Sequence, residues 1–403
     1  MFCGISCAIE VHGTDKIKEV KAMGCDEYAY LKPDIIPGLD FTTEEVEDAR
    51  RKGKLLSMDL EITEACNGAC KYCYRYLAEG PQPPAADELT LEEIACVIQL
   101  AHKRHGLRRL CILGGEPLIP SIRQKYLGVL DVCNELGIRH VTFTNGLNLT
   151  PDTTKALRNH RASVCVKLNG MTPEIHDRLV GVPGAFRRTM DGFTHLMSLG
   201  YGKNDNEQQL AFETVITRDN YAQIEAMWVW AREKGILPYV EKLTVQGRGA
   251  RHIEELHVDN DDLRVLFERL NGIDRTRYGL NWDITPPIAG GYQCVRLYMS
   301  LYIRANGIVC PCVGVDMHLG NLRRQTISEI LTSPLVCVTR NIDTHIKGKC
   351  RSCELSETCY GCRGAAYQAG DLFAEDPVCW RACNVNKVMS IRRSSVHELQ
   401  SVS

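Results

Sequence analysis

The run Cys66-Asn67-Gly68-Ala69-Cys70-Lys71-Tyr72-Cys73 packs three thiols into one short C-x3-C-x2-C loop. Nothing else in the chain restricts the fold so closely. Thiolates are the usual ligands of iron–sulfur cubanes, and three of them suit one cluster. Three ligands leave a fourth iron without a protein partner, and that open iron can take a small molecule and pass it an electron. The loop follows a strand-like run, Leu55-Leu56-Ser57-Met58-Asp59-Leu60-Glu61-Ile62. The fold must therefore present the loop at a strand's C-terminal end. Zinc is the competing metal, but it takes four ligands, usually as C-x2–4-C pairs, and fits a three-cysteine loop poorly.

From Leu55 onward, strand-like and helix-like runs alternate. The strand-like runs after the first are 109–113, 140–144, 163–168, 212–217 and 240–245. Amphipathic stretches at 91–103, 122–136 and 221–234 lie between them. Six βα units predict a parallel, barrel-like α/β sheet with its chemistry at the C-terminal ends of the strands. Ahead of them, 1–53 is mixed, with a charged helical run at 42–52 and three cysteines, Cys3, Cys7 and Cys25, expected to be free thiols.

A chain of 403 residues suggests two or three domains. Its net charge of −2 offers no electrostatic case for nucleic acid or a membrane surface. No apolar run approaches the length of a membrane span, and Met1–Cys7 lacks the basic and apolar regions of a signal peptide. Twenty cysteines without an export signal argue for metal ligation in a reducing compartment, with the cytoplasm as the expected location.

The C-terminal third repeats the metal theme with a different spacing. Cys294, Gly307 and Cys312 read C-x12-G-x4-C. Cys350, Cys353, Cys359 and Cys362 read C-x2-C-x5-C-x2-C, and Cys379 follows. Taken alone, the quartet also reads as a two-zinc ribbon.

Over roughly 55–385 the two constellations together resemble the radical S-adenosylmethionine (radical SAM) superfamily with a C-terminal SPASM domain. The resemblance implies an α/β fold, a partial (β/α)6 TIM-like barrel followed by a small cysteine-rich domain. The expected division is an N-terminal segment 1–53, a core barrel 54–250, a connecting segment 251–290, the SPASM domain 291–385 and a tail 386–403. The implied cofactors are S-adenosylmethionine and three [4Fe–4S] clusters, one on Cys66, Cys70 and Cys73 and two auxiliary. Carried over by position, Cys350, Cys353, Cys359 and Cys379 hold the outer auxiliary cluster, and Cys294, Cys312 and Cys362 the inner one. The inner cluster's fourth iron is either open or met by Cys310. The quartet departs from the family in its last spacing, x2 where x3 is usual. Cys337 and Cys383 fit no ligand pattern and are expected to be free thiols.

The same resemblance places Tyr72 near the adenine, and Gly114, Gly115 and Glu116 at the methionine amino group. Thr144 and Asn145 supply the third strand's polar contact. Lys167 either pairs with the methionine carboxylate or snorkels to solvent. Asn169 stands where many relatives carry Asp. Arg218 and Asn220 serve ribose or carboxylate, with a helix N-cap as the other reading of Asn220. Gln246 approaches the adenine.

The implied chemistry is reductive cleavage of S-adenosylmethionine to a 5′-deoxyadenosyl radical, which takes hydrogen from a substrate. A flavodoxin or ferredoxin would donate the electron. Auxiliary clusters favour a net two-electron oxidation, and Glu213, Glu241 and Asp283 are the candidates to take the accompanying proton. The leading substrate class is a peptide undergoing oxidation, crosslinking or epimerisation. The alternative is dehydrogenation or epimerisation of a carbohydrate or aminocyclitol. An electron carrier without catalysis has no need of an open-iron loop plus Gly114-Gly115-Glu116-Pro117.

Overall fold

A computed structural model describes residues 41–202, 208–280, 282, 284 and 294–381. Cys3, Cys7, Cys25, Asp283 and Cys383 lie outside the described residues. The centre is a mostly parallel, nine-stranded sheet of spatial order β6-β5-β4-β3-β2-β1-β7-β8-β9. Its strands are β1 Ser57–Glu61, β2 Arg109–Leu113, β3 Arg139–Thr144, β4 Ser163–Lys167, β5 Leu210–Ile216, β6 Leu237–Lys242, β7 Ser300–Ile303, β8 Ile308–Cys310 and β9 Gly320–Asn321. Strands β1 to β7 pair in parallel, whereas β8 and β9 add antiparallel strands beyond β7. Among the described residues β6 and β9 remain edges, so the sheet stays open as a partial barrel does.

The connecting helices begin and end where local chemistry dictates. Helix α1 (Thr43–Lys52) and helix α2 (Leu91–His105) each open with a capping box, Thr42 with Glu45 and Thr90 with Glu93. Both close on a left-handed glycine, Gly53 and Gly106. The remaining core helices are α3 (Arg123–Glu135), α4 (Pro151–Asn159), α5 (Pro173–Val180), α6 (Ala185–Ser198) and α7 (Ile224–Glu233). Met58, Leu60, Leu110, Ile112, Val164, Val166 and Phe212 from the strands join Ile98, Val129, Phe193 and Trp228 from these helices in one apolar core. Strand side chains alternate between faces. Asp59, Glu61, Cys111, Cys165, Lys167, Glu213, Tyr239 and Glu241 therefore line the opposite face, which carries the charged side chains.

One strand lies away from its expected place. Strand β6 begins at Leu237 and ends at Lys242, three residues earlier than 240–245. Pro238 hides it, because proline argues against a strand until the strand is known to be an edge, where a missing N–H costs no ladder bond. A second, smaller core of Leu297, Val315, Ile342, Ile346, Tyr360 and Leu372 supports the C-terminal cysteines, and Cys294, Cys312 and Cys350 pack against it.

Candidate active site

The loop from Cys66 to Cys73 is clamped by backbone on several sides. Cys66 exchanges both backbone hydrogen bonds with Gln82, at 2.9 Å each. The N–H groups of Ala69 and Lys71 donate to the carbonyls of Val180 and Leu179 at the end of α5. Arg75 Nε donates to both Glu61 carboxylate oxygens, at 2.9 and 3.2 Å, and its Nη2 to Glu64 at 2.5 Å, fastening the loop to the end of β1. Within the loop, Gly68 N–H donates to Cys66 Sγ at 3.4 Å. A Cβ at Gly68 would stand 3.7 Å from the sulfurs of both Cys66 and Cys70, so these thiols surround the glycine. Burial, with Cys70 adding to it, pushes the Cys66 thiol far up. Burial and the neighbouring Cys73 push Cys70 up to about 11. Thiols gathered this way ionise only with a positive centre among them, which is what a cluster iron provides. Among the described residues no three His, Cys, Asp or Glu side chains surround a single metal ion. A cubane asks instead for thiolates on separate irons.

The two glycines after β2 serve close approach. Gly115 N–H donates to Thr63 O at 2.7 Å and Glu116 N–H to Ala65 O at 2.8 Å, so this turn runs against the entry to the cysteine loop. A Cβ at Gly115 would fall 2.1 Å from Ala65 O. Glu116, 1% exposed, accepts from Thr144 Oγ1 and Asn145 N–H at 2.7 Å each and from Leu118 N–H at 3.0 Å. Asn145 Nδ2 in turn donates to Asn67 Oδ1 at 2.8 Å. The ends of β2 and β3 and the cysteine loop thus share one polar network. Three of the carboxylate's roughly four acceptor positions are used inside the protein, and one remains for an ammonium. Burial raises Glu116 to about 7 against these donors.

Lys167 meets a carboxylate of the chain itself. Its ammonium donates to Glu213 at 2.6 Å, across the β4–β5 register, and lies 5.8 Å from the Tyr72 ring centre. Burial opposes its charge, but Glu213 and then Glu241 hold its pKa above the ordinary lysine range. Glu213 is raised to about 7, first by burial; Lys167 works against this and Glu241 adds to it. Glu241 accepts from the Tyr239 hydroxyl at 2.8 Å.

Two buried polar groups in the same region, the Tyr72 hydroxyl and the Asn169 amide, neighbour each other, and the hydroxyl also neighbours Cys70. Both amide atoms of the fully buried Asn169, and the Tyr72 hydroxyl, make no well-formed hydrogen bond among the described residues. Buried polar atoms without a well-formed bond suit a bound ligand. Asn220, also fully buried, stands at the N-cap position of the short helix Tyr221–Gln223, but its side chain makes no capping bond and acts as a brace. It donates to Asn169 O at 3.2 Å and accepts from Thr217 N–H at 2.8 Å.

Arg218, expected at ribose or carboxylate, and Gln246, expected at adenine, each make a hydrogen bond within the chain. Arg218 Nη1 donates to the Glu254 carbonyl at 3.1 Å. Gln246 Oε1 accepts from Gln368 Nε2 at 3.2 Å, tying the core to the C-terminal region. The residues after Gln246 buttress the cysteine loop: Gly247 has φ +56°, and a Cβ there would meet the carbonyls of Cys73 and Tyr74 at 2.6 Å. Arg248, absent from the sequence-derived site, is 1% exposed, and its charge eases ionisation of Cys70. Asp283 lies outside the described residues.

The C-terminal cysteines fall into two groups. Cys312 feels Cys362 and Cys294 as neighbouring thiols, while Cys359 feels Cys350 and Cys353. N–H groups donate to these sulfurs in both: Gly361 to Cys359 and Asp376 to Cys350 at 3.3 Å, and Ala365 to Cys362 at 3.4 Å. The Tyr360 hydroxyl donates to Cys294 Sγ at 3.3 Å. Cys379 sits where Asp376 turns the chain, its N–H donating to Asp376 O. Cys310 lies two residues before Cys312. It is buried on β8, and its charged neighbours are Arg304, Asp316, Glu61 and Arg75. Cys337 is exposed on the helix Pro334–Arg340.

A thiol-lined loop on the C-terminal edge of a parallel sheet, with further thiol groups behind it, is the donor chemistry of an iron–sulfur enzyme. The model of the radical SAM superfamily matches residues 60–227, and that of the SPASM iron–sulfur cluster-binding domain matches 294–354. The chain belongs to the radical SAM superfamily and carries a SPASM domain, which implies iron–sulfur clusters and S-adenosylmethionine. It is similar to an AdoMet-dependent heme synthase of Methanosarcina barkeri, 28% identical over 79% of this chain and 94% of the relative. It is also similar to a PqqA peptide cyclase of Ruegeria pomeroyi, 26% identical over 85% and 91%. In fold it resembles Streptococcus suis SuiB bound to its precursor peptide SuiA, with a TM-score of 0.63, 18% identity and coverage of 84% and 79%. No helix among the described residues is long and apolar enough to cross a membrane.

Proposed function

We propose that this chain is a cytoplasmic radical SAM oxidoreductase that modifies a peptide. The observation carrying the proposal is the three-thiol loop beside the charged sheet face that holds Lys167, Glu213 and Glu241. Cys66, Cys70 and Cys73 would hold the core [4Fe–4S] cluster, and two more would sit on the groups containing Cys350, Cys353, Cys359 and Cys379 and containing Cys294, Cys312 and Cys362. With S-adenosylmethionine bound and an electron from a flavodoxin or ferredoxin, these groups supply a 5′-deoxyadenosyl radical and an acceptor for a second electron.

The chain's own residues bind, orient and move protons. Asn169, Tyr72 and the free acceptor position of Glu116 offer polar contacts to S-adenosylmethionine, beside Gly114, Gly115, Thr144 and Asn145. Lys167 fixes the Glu213 carboxylate on that face. Glu213, raised to about 7 by burial, takes the substrate proton, and Glu241 shares the charge.

Similarity to the PqqA peptide cyclase and to SuiB supports a peptide substrate. A second reading, a heme precursor, is favoured by the heme synthase likeness. The test offers deuterated cysteine-rich peptides, porphyrins and aminocyclitols anaerobically and reads deuterium in 5′-deoxyadenosine by mass spectrometry. Transfer from a peptide supports the proposal. Transfer from a porphyrin or a sugar alone rejects it in favour of that substrate.

A further inference from the structure

Buried cations accompany each thiol group, and two of them have no use in the chemistry above. Lys242 ends β6, and its side chain is 13% exposed. Its ammonium makes no hydrogen bond among the described residues. The nearest carboxylate oxygen, Asp376 Oδ2, is 4.0 Å away and already accepts from Cys362 N–H at 2.8 Å. After burial, the Lys242 charge is the strongest influence on the Cys362 thiol. Lys242 also lines a small cavity of about 30 Å³ with Ile216, Leu263 and Pro377.

Arg363 follows Cys362 in sequence but faces the other thiol group. It is 2% exposed, and Nη1 donates to the carbonyls of Leu372 and Ala374 at 3.0 and 2.6 Å. Its Nε and Nη2 have no hydrogen-bond partner among the described residues. A Cβ on Gly361 (φ +65°) would stand 2.9 Å from Arg363 Nη2 and 3.4 Å from Cys350 Sγ, so only a glycine leaves the guanidinium and the thiol facing each other. The core loop repeats the arrangement, with Arg248 buried beside Cys70. A buried cation without a partner is costly, and a thiolate-bound cluster is a net anion.

We propose that Lys242 and Arg363 are the counter-charges of the inner and outer auxiliary clusters and raise their reduction potentials separately. The inference rests on the cluster assignments made under the proposed function. Lys242 comes from the core sheet and Arg363 from the SPASM domain, so the two potentials are adjustable from different parts of the chain. Removing a positive charge disfavours the more negative, reduced cluster and lowers its potential.

The experiment is an EPR-monitored redox titration of the full chain, reconstituted anaerobically, with iron and sulfide measured on each sample. Lys242→Met should lower the potential of one auxiliary cluster and leave the other unmoved, and Arg363→Met should do the reverse. Lys242→Arg should keep the parent value, since the charge remains. If Arg363→Met fails to fold, because two carbonyls lose their donor, Arg363→Lys and the Lys242 pair decide the matter. Full iron content with potentials unmoved by Lys242→Met overturns this inference alone. Iron for the core cluster only, in the parent chain, overturns the assignment of auxiliary clusters and this inference with it.

Discussion

Replacing Glu116 by Gln separates its two roles. The carboxylate accepts from Thr144, Asn145 and Leu118, and one acceptor position is left for the methionine ammonium of S-adenosylmethionine. An amide of the same shape must turn its NH2 toward at least one of these donors. A buried donor left unsatisfied costs about 1–3 kcal/mol. Against that, the carboxylate itself is held from its ordinary 4.5 up to about 7 by burial, a penalty of about 3 kcal/mol that the neutral amide escapes. The two nearly cancel, so the apo chain's melting temperature should move by only a few degrees. The ammonium contact has no such offset. Its loss should weaken S-adenosylmethionine by about 1.5–3 kcal/mol, the range of a hydrogen bond to a charged group. That corresponds to roughly 10- to 150-fold in Kd. Calorimetry on the reconstituted variant, with iron measured alongside, reads this directly. Unchanged affinity with unchanged iron would refute the ammonium contact and leave Glu116 as a brace between β2 and β3.

Three further outcomes follow from the geometry. Gly115→Ala should cost about 3 kcal/mol or more, because its Cβ meets Ala65 O at 2.1 Å and both partners are backbone; a melting curve close to the parent's would contradict the close approach. Product formation should rise with pH through about 7 as Glu213 loses its proton, and Glu213→Gln should abolish product while leaving 5′-deoxyadenosine formation measurable; a flat profile would remove Glu213 as the base. Burial favours neutral Glu213, so its share of stability is full below about 4.5 and lost as pH rises through about 7, and Glu213→Gln should flatten that fall in a thermal melt taken at pH 5 and pH 8.

Much of the fold and of the metal chemistry is legible in the chain because it is local. The Cys66–Cys73 spacing and the βα alternation each lie within a short window, and β2 falls at 109–113 as expected. Long-range pairing is what the sequence conceals. Gln246, expected at adenine, has a hydrogen-bond partner, Gln368, 122 residues away. Lys167 had two candidate roles, and the register of β4 with β5 supplied a third partner, Glu213. Strand β6 was displaced by Pro238, whose tolerance depends on the strand being an edge. Arg363 adjoins Cys362 in sequence yet faces Cys350, a reversal made by the left-handed turn at Gly361 that no spacing reveals.

The central claim is that Cys66, Cys70 and Cys73 carry the cluster that cleaves S-adenosylmethionine. The direct measurement compares the parent chain with a variant in which all three are Ala, both reconstituted anaerobically and supplied with a strong reductant. The parent should hold about twelve irons and release 5′-deoxyadenosine; the variant should hold about eight and release none. A variant that still forms 5′-deoxyadenosine would contradict the account.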